Sequence, residues 1–342
     1  MAGSRSSSNR AAEGAPGAER TSPRRGVSSR LLGQVGLDLP ALAGGAPGDP
    51  GLFGPASMIW TVARERALIA VGPAALLMQL AHPLVAAGVD DHSDFRRDPF
   101  ARLRATLDDT LTISFGDSEQ SERAADRVRA VHRRVRGRLR SGVGSYATGT
   151  PYDAADPALA LWVHATLIVS ALDGYSALIR PLERGERTRY FEEAKAFAAL
   201  FGAGPDVMPG DYAAFERYVR ETTDSLTVGP AARALASAVL DPPLRPPLAP
   251  ASALSRILTA GFLAPSMRAQ YGLGFDRAGR MTFRSVTAAT RRSVRFLPAA
   301  VRYWPHARTA MARMGAATGG AAHPLRRSGP ADDGRRALGK EG

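Results

Sequence analysis

Between residues 60 and 310 the apolar side chains recur three and four apart, and they almost never alternate. A chain patterned this way buries one stripe of each segment as a helix and gives little for a sheet to bury. Its punctuation divides the pattern into elements. Helices are expected from about Met58 to Ala70, from Pro73 to about Ala81, and from Asp98-Pro99 to about Phe115 with Asp98 as N-cap. The next runs from Glu119 to about Arg140 and ends near Gly142, and Asp156-Pro157 caps a very apolar helix over 158–179. Further helices fall at 186–201, 209–224 and 230–240. Five prolines in DPPLRPPLAP (241–250) make an extended connector. Two or three helices follow between about 251 and 313. Strand candidates such as Arg280–Val286 are short and weak, and no internal repeat is present. The expected fold is all-α with one core over about residues 51–312.

The two ends read differently. Residues 1–30 are Ser, Arg, Gly, Ala and Pro with almost no large apolar side chain, too little to offset the entropy of ordering. The expected organisation is a disordered or extended tail over 1–50, the helical domain over 51–312, and a second disordered tail over 313–342. Arg24-Arg25 stands before a leucine-rich stretch in the manner of a weak twin-arginine export signal, but Gln34, Asp38 and Pro40 interrupt the apolar part. A cytoplasmic protein is the expectation, with export or membrane association as alternatives. Residues 67–89 are long enough to span a bilayer, yet Pro73, Gln79, His82 and Pro83 sit inside them. A core helix broken near Pro83 is the better reading, and peripheral membrane contact stays open.

The chain has no cysteine, so disulfides, iron–sulfur clusters, thiolate-ligated haem, Cys-type zinc sites and cysteine nucleophiles are excluded. Its 45 Lys+Arg and 32 Asp+Glu leave a net charge of +13, with +2 on residues 1–50, +2 on 316–342 and the rest spread over the middle. There is no zinc finger, RNA-binding aromatic motif or dense basic helix, so no nucleic-acid partner is expected. Arginine also suits carboxylates, cofactor propionates included. The motifs HExxH, GxSxG, the P-loop and GxGxxG are absent.

Four residues on three helices stand out. His132 lies within the stripe Val128, Val131, Val135, Leu139 of a helix otherwise crowded with arginine, and Arg136 follows one turn later. It is either a satisfied core histidine, an axial ligand to haem iron, or a base. With no cysteine and no carboxylate in register, haem suits a lone histidine better than zinc does. Arg102 and Thr106, four apart on the preceding helix, either anchor a cofactor carboxylate and bond a bound oxygen species, or are an exposed Arg and a Thr bonding back to its own helix. His164, in a helix apolar almost all round, is a structural histidine or one that serves the site from the distal side. The segment Gln79–Phe95 gathers His82, His92, Asp90, Asp91 and Asp94. Two His and a carboxylate can bind non-haem iron, but these straddle a proline break and a loop.

The stretch GLFGPASMIWTVARERALIAVGPAALLMQLAHPLVAAGVDDHSDF (51–95) resembles the start of the MpaB-type/rubber oxygenase (latex-clearing protein) family. So do DPFARLRATLDDTLTISFG, the VHRRVRG at His132, the WVHATL at His164 and the later FLAPSMRAQYGLGF. The resemblance covers about 51–312. It implies helices packed globin-like around one haem b, and a dioxygen-dependent oxygenase acting on a lipophilic small molecule. The family's rubber oxygenases cleave the double bonds of polyisoprene, and a fungal relative cleaves a prenyl side chain. The resemblance implies His132 as the axial iron ligand within HxxxR completed by Arg136. It places Arg102 and Thr106 at the family's Arg-xxx-Thr, and His164 at another family histidine. Rubber oxygenases carry a distal lysine just before that Thr, where this chain has Ala105, a departure that bears on substrate and on the iron's resting coordination. A non-catalytic haem-binding or sensing protein and a cofactor-free helical protein are the alternatives.

Overall fold

A computed structural model describes residues 38–93, 99–241 and 249–319. The expected Asp98 cap, most of the proline-rich connector and the outer parts of both tails lie outside the described residues. The helices are α1 (Met58–Ala63), α2 (Gly72–Ala81), α3 (Pro83–His92), α4 (Pro99–Phe115), α5 (Ser118–His132), α6 (Pro157–Leu178), α7 (Arg184–Ala199), α8 (Tyr212–Ser225), α9 (Pro230–Leu240), α10 (Ala249–Phe262), α11 (Pro265–Gln270), α12 (Arg277–Ser293), α13 (Ala299–Arg302) and α14 (Pro305–Gly319). Short 3-10 turns cover Arg66–Val71 and Val294–Phe296. Among the described residues the only strands are β1 (Arg136–Arg138) and β2 (Pro151–Asp153), one antiparallel ladder pairing Arg136 with Asp153 and Gly137 with Tyr152. The fold is all-α, as the periodicity requires. Arg280–Val286 lies within α12, so that strand candidate is a helix.

The central helix is α6. The Asp156 carboxylate accepts from the Ala158 N–H, and Pro157 fills the first turn. Trp162, Ala165, Ile168 and Leu172 are almost fully buried, and α1, α2, α7, α8 and α12 all pack around it. A helix enclosed on every side is apolar on every side. It is long and apolar enough to cross a bilayer, but more than half of it is buried within the protein. At Gly174 a Cβ would stand 2.6 Å from Val71 Cγ2, so the glycine lets the Arg66–Val71 turn close onto α6.

The apolar run over 67–89 is two helices bent by 106°. Pro83 has no N–H to continue α2, and His82 takes an extended conformation (ψ 118°) and caps α3, its Nδ1 accepting from the Leu84 N–H at 3.3 Å. Residues 38–50, placed by composition in the tail, wrap the α4–α5 turn. Leu39 is buried, the Ala46 N–H donates to Asp117 at 2.8 Å, and Asp49 accepts from the Ser118 N–H at 3.0 Å. On the far side α14 continues past 312, and the Arg313 guanidinium donates to the carbonyls of Asp49 and Phe115.

The α4–α5 hairpin places the site. Asp117 and Gln120 form a reciprocal cap. The Ser121 hydroxyl reaches the Ile113 carbonyl at 3.1 Å, and Ala124 and Ala125 are small enough to seat α5 directly on the core. Thirteen residues separate Arg102 from Phe115 and fourteen separate Ser118 from His132. The two antiparallel arms are therefore matched at roughly 20 Å, which returns His132 to the level of Arg102 and Thr106.

Candidate active site

His132 is the last residue of α5, half-buried, and continues the inner face of Ser121, Ala125 and Val128. Its expected stripe does not hold. Val131 is 54 % exposed, and the helix expected to reach Arg140 stops at His132. The chain turns there, with the Val135 N–H donating to the His132 carbonyl at 3.0 Å. Beyond the turn, Val135 and Leu139 join a small separate cluster with Leu84, Ala87, Tyr152 and Leu159. Arg136 therefore opens β1 instead of following His132 by one helical turn. Its guanidinium pairs with Asp153 at 2.9 Å, and its carbonyl accepts from His92 Nε2 at 3.0 Å.

Arg102 and Thr106 face the same end of the hairpin. The Thr106 hydroxyl donates to the Arg102 carbonyl at 3.0 Å and accepts from the Arg102 guanidinium, so the pair is tied to itself. Solvent reaches the Arg102 side chain, yet surrounding protein strips enough of its hydration to lower its pKa, with the Asp109 charge opposing. The same environment acts on His132: desolvation first, then the Arg102 charge, lower its pKa. The ring is therefore neutral at pH 7, and among the described residues no hydrogen bond engages either ring nitrogen. A neutral imidazole with a free lone pair is what a metal centre takes as a ligand.

Two aromatic side chains that the sequence reading missed stand beside His132. Phe201 meets the His132 ring edge-on at 5.8 Å, and Phe197 packs on Phe201 at 5.5 Å. His164 stacks on Phe197 at 5.4 Å and 16°. Its Nε2–H donates to the Ala194 carbonyl at 3.0 Å, and burial lowers its pKa to about 4. Two phenylalanine rings thus lie between His164 and His132. The findable signal was the i, i+4 spacing of Phe197 and Phe201 at the end of α7, within reach of an apolar central helix.

Among the described residues the Gln79–Phe95 segment does not assemble a metal site. His82 caps α3 and donates through Nε2 to the Tyr146 hydroxyl at 3.0 Å, His92 holds the Arg136 carbonyl, and Asp91 accepts from Tyr152 at 2.6 Å and pairs with Arg140. Asp94 lies outside the described residues. Among the described residues no group of three His, Asp or Glu side chains can hold a metal ion. A single histidine can still anchor an iron whose other ligands come from a macrocycle. An arginine beside it suits the macrocycle's carboxylates, so the donor set of His132, Arg102 and Thr106 fits haem.

Residues 59–292 match the family described as the ER-bound oxygenase mpaB/B′/rubber oxygenase catalytic domain. The chain belongs to this family. The resemblance carried by the short motifs is thereby shown, and the match places an oxygenase catalytic domain over α1 to α12. Two further relatives are uncharacterized proteins of Mycobacterium bovis and Mycobacterium tuberculosis. Each is 32 % identical over 238 residues, covering 66 % of this chain and 89 % of the relative. No solved structure matches the chain.

The buried histidines of this oxygenase domain make its stability depend on pH. Burial lowers the pKa of His82 and of His164 to about 4, below the ordinary value of 6.5. Each ring is therefore neutral in the fold but protonated in the unfolded chain once the pH is below 6.5. The stabilisation is complete above that value and is lost as the pH falls toward 4, up to about 3 kcal/mol per ring. Thermal melts are expected to drop steadily between pH 6.5 and 4.5. His82→Asn, which keeps a capping acceptor but does not titrate, is expected to make that slope measurably shallower.

Proposed function

We propose that the domain is a haem b-dependent oxygenase that uses dioxygen on a lipophilic, alkene-containing substrate of the isoprenoid class. The observation that carries this reading is the neutral His132 imidazole, its ring nitrogens without a hydrogen-bond partner among the described residues, near the Arg102 guanidinium that is tied to Thr106, with no three-residue metal-binding group among the described residues. Family membership supports the oxygenase part.

Haem b, when bound, supplies the activation of dioxygen. His132 would hold the iron through a ring nitrogen, and its lowered pKa keeps a lone pair available at neutral pH. The Arg102 guanidinium, whose pKa desolvation lowers, would gain a counter-charge from a haem propionate. The Thr106 hydroxyl has its proton committed to the Arg102 carbonyl, so it offers acceptor capacity and keeps the arginine oriented. Arg136 acts through structure: with Asp153 it closes the hairpin that begins just after His132. His164 is a positioning residue, holding the face of Phe197, which packs on the Phe201 ring that meets His132. Ala105 brings no amine to this face, leaving it open to an apolar substrate.

The test is an absorption spectrum of the purified protein, as isolated and after haemin addition, followed by oxygen uptake with isoprenoid alkenes. A Soret band at one haem per chain and alkene-dependent oxygen consumption are expected. No band after haemin addition would overturn the cofactor. A full band without oxygen uptake on any alkene would leave a haem-binding protein and overturn the reaction.

A further inference from the structure

The C-terminal third carries a surface that the oxygenase reading does not use. Residues 277–319 contain nine arginines and no Asp, Glu or Lys. Arg302 and Arg313 are spent inside the fold, on Glu65 and on main-chain carbonyls. The others are exposed: Arg277, Arg280, Arg284 and Arg291 lie along one face of α12, Arg292 and Arg295 beside its end, and Arg308 on α14. Among the described residues none of these seven has a carboxylate partner.

This basic face leads straight to an apolar tip. Phe296 is 76 % exposed and Leu297 42 %, and Pro298, Ala299 and Ala300 follow, all exposed. Isolated apolar side chains on a surface are ordinary. Five in succession on one projecting tip need a partner phase. The tip is rigidly held. Val294 is buried behind it, the Arg295 guanidinium lies 4.8 Å over the Phe296 ring, and Arg302 anchors the following turn to Glu65. The inner side of α12 is already occupied, with Phe283 packed on Phe262 and Phe275 and Thr287 buried. The outward face is therefore surplus to folding, and the family match ends at residue 292, before the tip.

We infer that the arginine face of α12 and the Phe296–Ala300 tip dock this protein on an anionic lipid bilayer. The tip enters the interface while the guanidiniums meet headgroup phosphates, the division of labour seen in amphipathic segments that lie on membranes. Charge decides for lipid: an unbroken positive surface around a protruding aromatic matches a negative headgroup layer over hydrocarbon. The inference deepens the proposed function, since a bilayer is where a lipophilic alkene dissolves, but docking needs no haem and is read without it.

The test uses the full chain and sedimentation with vesicles of phosphatidylcholine alone or with about a third phosphatidylglycerol. At 100 mM salt, roughly 100-fold tighter binding to the anionic vesicles is expected, shrinking at 500 mM salt. Arg291→Gln with Arg292→Gln and Arg295→Gln is expected to lose about 100-fold on anionic vesicles. Phe296→Ser with Leu297→Ser is expected to lose at least about 10-fold. Arg217→Gln with Arg220→Gln, exposed on α8, is expected to change little. All these positions are exposed, and thermal melts confirm that the variants fold. Equal binding to both vesicle types, or tip and arginine variants that bind like the parent, would overturn the inference. So would lipid-free dimers that become monomers when the tip is changed, because a second copy would then be the occupant.

Discussion

Replacing His132 by alanine is expected to leave a folded protein that no longer retains haem. The ring sits at the last residue of α5, half-buried, and no hydrogen bond among the described residues depends on it. Its loss therefore removes the edge contact with Phe201 and little else, a cost of about 1 kcal/mol or less. Haem affinity responds differently. Weakening an outer partner of a ligand already costs 10–100-fold, so losing the ligand itself is expected to cost more than about 100-fold and to abolish the Soret band in desalted protein. His132→Gly with added imidazole is expected to recover the band, because the vacated space and the neighbouring Arg102 remain. His164→Ala makes the contrasting case. It removes a buried ring stacked on Phe197 and hydrogen-bonded to Ala194, so the melting temperature falls by several degrees while haem still binds. Because the pKa of His132 is lowered, the parent is expected to keep its haem as the pH drops through 6.5 and to release it only further into acid. Full haem occupancy in His132→Ala after reconstitution would move the ligand elsewhere.

The helical class was legible in the sequence because it rests on spacing, whereas the grouping of Arg102 and Thr106 with His132 came only from the family resemblance. A period of three and four names helices, and two arms of near-equal length about a capped Gly116-Asp117 turn bring their far ends together. The end of α5 was misread although its signal was present. Residues 134–140 read Arg-Val-Arg-Gly-Arg-Leu-Arg, a strict alternation that belongs to a strand, and burial follows it, with Leu139 inside and Arg138 and Arg140 outside. The valines at 128, 131 and 135 imitated a helical stripe across that boundary. The aromatic wall of Phe197 and Phe201 was not legible as a site, since only tertiary packing brings the end of α7 beside the end of α5. The partners of His82, Tyr146 and the Leu84 N–H, likewise lie partly across the fold, so residue type alone left a capping histidine open to being read as a metal ligand.

Removing the carboxylate of Glu65 is expected to be the most destabilising single change in the chain. Glu65 is fully buried between α1 and the following 3-10 turn, and Arg302 reaches it from 237 residues away with three hydrogen bonds, 3.1 and 2.8 Å from Nε and 2.6 Å from Nη2. Around this pair, residues 64–66 and 303–304 close on one another. The Trp304 N–H donates to the Arg64 carbonyl at 3.1 Å, Arg66 donates to the Tyr303 carbonyl at 3.2 Å, and the Tyr303 ring lies under the guanidiniums of Arg64 and Arg302. Glu65→Ala leaves Arg302 as a charge held in a largely dry place, a loss of about 3–5 kcal/mol. For a domain of this size that lowers the melting temperature by roughly 10 °C. The penalty comes from the stranded charge more than from the lost attraction, so Glu65→Met combined with Arg302→Met is expected to recover most of it. A double-mutant cycle over the two positions measures the coupling, and a value near zero would show that the joint holds without its ion pair. The joint also reaches the site. It fixes the chain entering α14, whose His306 donates to Asp108 on α4 and whose Arg313 secures the Phe115 carbonyl at that helix's end. Loosening it frees the arm that carries Arg102 and Thr106, so Glu65→Ala is expected to weaken haem retention from a distance even below its melting temperature, whereas the double methionine variant retains haem like the parent.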